Sequence, residues 1–79
     1  MLVRLECLKR LLERYSDCVG PAARPLLLRE IEQLGATPQA FPSALRSELA
    51  HALASRLDEP IARGAFLQDA LFILGSSDR

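Results

Sequence analysis

Side chains able to do chemistry are few in this 79-residue chain, and their spacing is unfavourable. The one histidine, His51, falls on the polar side of an amphipathic segment beside Glu48 and Ser55. A lone imidazole there has no partner to make it a general base or a metal ligand. Cys7 and Cys18 lie eleven residues apart, which on one helix separates their Cα atoms by about 16 Å, against the roughly 7 Å that a disulfide tolerates. They read as reduced thiols, and with one distant histidine they match no zinc-binding spacing. The adjacent acids Asp58 and Glu59 immediately precede Pro60, where carboxylates favour the positive end of a helix, so they mark a helix start rather than an acid–base pair. Gly20, Gly35, Gly64 and Gly75 are isolated and form no phosphate-cradling loop. Hence no catalytic residue, no cofactor and no metal site is expected, and no enzymatic activity.

Charge narrows the partners. Ten Lys+Arg balance ten Asp+Glu and the pI is about 6.6, so no net field attracts phosphates or an anionic membrane. Arg10, Arg14, Arg24 and Arg29 are interleaved with Glu6, Glu13, Asp17, Glu30 and Glu32. That pattern describes a solvated face with local pairs worth roughly 0–1 kcal/mol each. The third helical segment, a short break and the fourth faintly resemble a helix-turn-helix, and a DNA-binding regulator is therefore a competing reading. A recognition helix needs basic residues, however, and the fourth segment has only Arg63, so no nucleic-acid partner is expected. The longest apolar run, Ala70 to Leu74, has five residues, far below the roughly 20 of a membrane span. Arg4, Glu6, Lys9 and Arg10 interrupt what would be a signal peptide, and the expected location is cytoplasmic.

The elements that position these groups follow from residue types. Sixteen leucines and 11 alanines stand against three isoleucines, two valines and one threonine, a balance that favours helix over strand. Glycine and proline divide the chain into four helical segments, predicted at about 2–17, 21–34, 43–57 and 60–74, with a polar tail at 75–79. Gly20-Pro21 ends the first and opens the second, Gly35 follows the second as a C-terminal glycine, and Pro60 starts the fourth. Ser43 is expected to cap the third, and Phe41, in the loop before it, to tuck onto the core. The expected architecture is an all-α, compact four-helix bundle forming a single domain over residues 1–79.

Two segments carry more apolar surface than one neighbour needs. The first presents Leu5, Leu8 and Leu12 within an arc of about 200°, and the fourth is apolar around nearly its whole circumference. Such a helix either runs through the middle of the core or completes its burial against another chain, and a chain this short buries only about 60% of its unfolded surface. The favoured reading is a non-catalytic protein–protein interaction or self-association module with a protein partner, most simply a homodimer. Its contact residues are predicted as Leu5, Leu8 and Leu12 on the first helix and Leu67, Leu71 and Leu74 on the fourth. A small apolar-ligand carrier would use the same surplus of leucines to line a cavity.

The run Val19-Gly20-Pro21-Ala22-Ala23-Arg24, followed by Leu26-Leu27-Leu28, resembles the "(V/I)-G-P-x-A-(K/R)" opening of a small helical domain of unknown function. That domain is found at the C-terminal ends of bacterial signalling proteins, including serine/threonine kinases and response-regulator-like proteins. Leu57-Asp58-Glu59-Pro60, then Arg63 and Phe66-Leu67, resembles its "I-x-(D/E)-P-x-x-R-x-x-F" segment. The resemblance spans residues 2–74, with Cys18 standing where the pattern has an aromatic residue. It implies an accessory or interaction role in signalling and carries no catalytic residues. Arg63 and Phe66 come with it as structural anchors, Phe66 buried and Arg63 pairing with a helix-end carbonyl or an acid.

Overall fold

The structure is a computed structural model and describes residues 2–75. Four α-helical segments follow one another: α1 (Leu5–Val19), α2 (Ala23–Gln33), α3 (Arg46–Ala54) and α4 (Pro60–Gly75), with no strand among the described residues. Helices of 15, 11 and 16 residues carry the all-α domain, whereas α3 has only nine. The expected all-α domain therefore forms, but around three full helices with α3 as a short fourth piece, and not as a clear four-helix bundle. The polar tail beyond Gly75 lies outside the described residues.

Each departure from the expected boundaries has a local cause. Residues 2–4 are extended because Leu2 makes an isolated antiparallel bridge with Pro42 and the Val3 N–H donates to the Phe41 carbonyl at 2.8 Å. That contact buries Val3 and Phe41 and delays α1 to Leu5. Gly20, at φ 68°, leaves α1, and Gly20–Ala22 form a single 3-10 turn, so Pro21 lies in the joint and α2 begins at Ala23. Gly35, at φ 77°, lets the end of α2 fold back: its N–H donates to Glu32 and that of Ala36 to Ile31, the paired bonds of a Schellman motif. Ser43–Leu45 form another 3-10 turn, and Leu45, with no side-chain cap bond, precedes α3, so the cap expected from Ser43 is not made. Past Ala54 the chain tightens into Arg56-to-Leu53 and Leu57-to-Ala54 bonds, which leaves Leu57 buried but outside the helix.

At the start of α4, the Glu59 carboxylate accepts the N–H groups of Ile61 (3.1 Å) and Ala62 (2.6 Å), satisfying donors that a helix N-terminus leaves open. Pro60, the first helical residue, has no N–H to satisfy.

Both α1 and α3 pack against α2 and α4. The fully buried centre contains Leu11, Tyr15, Ile31, Phe41, Leu49, Leu53, Phe66 and Leu74, drawn from every helix and from the loop before α3. Two polar links tie the elements around it. The Tyr15 hydroxyl donates to the Leu53 carbonyl at 3.2 Å, tying α1 to α3. Arg56 donates through Nε (2.9 Å) and Nη2 (2.5 Å) to Oε1 of the buried Glu30, tying α2 to the turn after α3. No buried side-chain nitrogen or oxygen among the described residues lacks a partner.

Candidate interaction surfaces

The groups with chemical potential are used structurally or stand apart. His51 is exposed on α3. Cys7 is buried and Cys18 half-buried, both outside any disulfide, and Arg14 Nη1 lies 3.2 Å from Cys18 Sγ. Glu59 is occupied as the α4 cap. No group of three His, Cys, Asp or Glu among the described residues is placed to hold a metal ion. Among the described residues, no helix is long and apolar enough to cross a membrane.

The inward side of α4 is fixed by α1. Phe66 packs its ring 5.0 Å from that of Tyr15, centroid to centroid, at an angle of 44°. Arg14 stands 5.9 Å from the Phe66 centroid and donates through Nε to Asp69 at 2.7 Å. That hydrogen bond to Asp69 raises the Arg14 pKa further above its ordinary value. With Phe66, Ala70 and Leu74 directed into the core, the opposite side of α4 is fixed as well. At 100° per residue, Ile61, Gly64, Ala65, Gln68, Leu71 and Phe72 fall within about 120° of arc and extend over about 16 Å of helix. All six are exposed, Ile61 at 81% and Phe72 at 78%, and Gln68 is the one polar member.

A second apolar surface lies between α1 and α2. Leu5, Leu8 and Leu12 line, with Leu27, Leu28 and Ile31, an open groove of about 460 Å³ to which Pro38 and Gln39 also contribute. Lys9 stands on the α1 wall and Arg24 on the α2 wall. Neither makes an ion pair with a described residue, whereas Arg14 and Arg56 do. No residue of α4 lines this groove.

A family model described as "Domain of unknown function (DUF8082)" matches residues 6–79. The chain belongs to that family. No curated protein and no solved structure matches it. The match takes in α2, α3, α4 and all but the first residue of α1, so the outer face of α4 and the groove, apart from Leu5, are parts of the DUF8082 domain.

The six predicted contact residues of the domain do not form one surface. Leu5, Leu8 and Leu12 line the α1/α2 groove, with Leu5 exposed, Leu12 half-buried and Leu8 buried in its floor. Of the three predicted on α4, only Leu71 is exposed; Leu67 is half-buried and Leu74 is fully buried. Leu8 and Leu74 are therefore core residues, because each points at a neighbouring helix of its own chain. Periodicity alone does not single out Ile61 and Phe72, the two most exposed large apolar residues among those described. No polar face on α4 marks which side turns outward. Of the predicted structural residues, Gly20, Pro21, Gly35 and Pro60 lie at the joints described above. Phe66 is fully buried, and Arg63 Nε donates to the Leu57 carbonyl at 2.9 Å, just beyond the end of α3.

Proposed function

We propose that this DUF8082 domain is a non-catalytic self-association module, and that its contact is the outer face of α4. What carries the reading is the run Ile61, Gly64, Ala65, Gln68, Leu71 and Phe72, five of six lacking a polar side chain and all exposed on one rigid helix. Isolated apolar residues on a surface need no explanation, but a contiguous stripe on a helix marks a contact. Gly64 and Ala65 keep the stripe narrow at its middle, so a facing backbone can approach closely. The absence of convergent polar groups among the described residues favours contact over catalysis. The setting in bacterial signalling proteins, implied by the Val19–Arg24 and Leu57–Leu67 segments, belongs to the same proposal, as do the expected cytoplasmic location and the lack of a nucleic-acid partner.

Size exclusion coupled to light scattering, run over a concentration series, tests this reading. The unmodified chain is expected to gain mass with concentration, and Phe72→Glu is expected to remain at 8.7 kDa with an unchanged far-ultraviolet spectrum. A chain that stays at monomer mass throughout the series refutes self-association.

A further inference from the structure

We infer that the α1/α2 groove of one copy receives the α4 ridge of another, so that copies join head to tail. This rests on the reading of α4 as the contact and names what α4 contacts. Groove and ridge are two apolar surfaces left open among the described residues, and they lie apart: no α4 residue lines the groove, so a copy cannot fill its own. Charge matches across the pair. Lys9 and Arg24 place positive charge on both walls of the groove, unpaired among the described residues. The ridge starts beside the exposed Asp58, which has no ion-pair partner among the described residues; Glu59 next to it is taken up as the α4 cap, and Arg63 Nη2 turns back to the Asp58 carbonyl at 3.4 Å.

The α1 wall rises about 10 Å from Leu5 to Leu12, about two-thirds of the ~16 Å ridge, and the Ala65–Phe72 part of the ridge has the same seven-residue rise. Recognition of a helix in an apolar groove uses side chains at i, i+3 and i+7, the spacing of Ala65, Gln68 and Phe72. A symmetric contact of α4 on α4 would leave the groove and its two cations uncovered. A groove-to-ridge contact uses a different patch on each partner, and such heterologous contacts build rings or open chains rather than closed dimers.

Complementary dead-end variants test the inference. Phe72→Glu breaks the ridge and keeps the groove, while Leu28→Glu breaks the groove and keeps the ridge. Phe72 is 78% and Leu28 42% exposed, so both chains are expected to fold. Ile61→Glu and Leu5→Glu serve as second variants of each kind if either does not. Each alone is expected to associate at least tenfold more weakly than the unmodified chain, which itself forms species larger than two. Mixed one to one, they are expected to form a one-to-one dimer that grows no further. If Leu28→Glu and Leu5→Glu associate like the unmodified chain while Phe72→Glu does not, the groove is not the receptor and only the head-to-tail inference falls. If mixing restores no dimer, that inference falls too. If the unmodified chain is monomeric, the reading of α4 falls with it.

Discussion

Phe66 and Phe72 are the same residue type on the same helix, six positions apart, and truncating each to alanine separates core from surface. Phe66 is fully buried, with its ring 5.0 Å from Tyr15 and the Arg14 guanidinium 5.9 Å from its centroid. Phe66→Ala is expected to cost about 3–5 kcal/mol through lost burial and the cavity left behind, of which the ring pair accounts for about 0.5–1.5. At the usual 0.05–0.15 kcal/mol per residue, a chain of this length has about 4–12 kcal/mol in all, so the loss is about a quarter or more of the total. At about 4–8 °C per kcal/mol for a domain of this size, Tm should fall by about 12 °C or more. Phe72 is 78% exposed, so only about a fifth of the roughly 1.5–3 kcal/mol of full burial is at stake, about 0.3–0.7 kcal/mol. Urea unfolding followed by circular dichroism, at a concentration low enough that association does not contribute, gives both values. Equal losses, or a larger one for Phe72→Ala, would refute the assigned orientation of α4.

The remaining predictions use the polar links and one glycine. Burial raises the Tyr15 pKa above its ordinary value of 10.0, so its contribution to stability is fully present below about pH 10 and is lost as pH rises through the folded-state value. With one tyrosine and no tryptophan, tyrosinate absorbance should rise together with unfolding at alkaline pH, and Tyr15→Phe should cost about 1 kcal/mol at neutral pH while weakening that alkaline dependence. Glu59→Ala removes the acceptor for two N–H groups of α4 and should lower stability in urea by about 1 kcal/mol. Arg56→Ala strips the buried Glu30 of its donor and should lower the urea midpoint by the equivalent of about 1–3 kcal/mol, with Glu30→Gln added to the variant recovering part of it. Gly64→Ala, within α4 and with no atom within 4 Å of the added methyl, should raise stability by about 0.8–1 kcal/mol, read as a higher Tm.

The helical class and the joints were legible in the sequence because their causes are local. Gly20, Gly35 and Pro60 act through their own backbone, and the acids before Pro60 through the open N–H groups ahead of them. The extended residues 2–4 were not legible, since Leu5 to Tyr15 carries a helical period and the competing bond is to Phe41, 38 positions away from Val3. The short α3 had a similar cause: Leu57 continues the apolar period but reaches the core from a turn. For the candidate surface, the excess of apolar residues on α4 could be read, while its outward side could not. A helix apolar all round has no wet side to orient it, and the direction was set by Tyr15 and Arg14 on another element.

Gly64 also sets two properties of the molecule against each other. Helix propensity disfavours glycine inside α4, and nothing in the fold of a single copy calls for one there, since the space beside it is open. If neighbouring copies seat against that gap, the methyl group that toughens the isolated subunit against heat also props its neighbours apart. Thermal resilience and assembly would then trade off at one carbon atom, and a search for hardier variants would yield solitary ones.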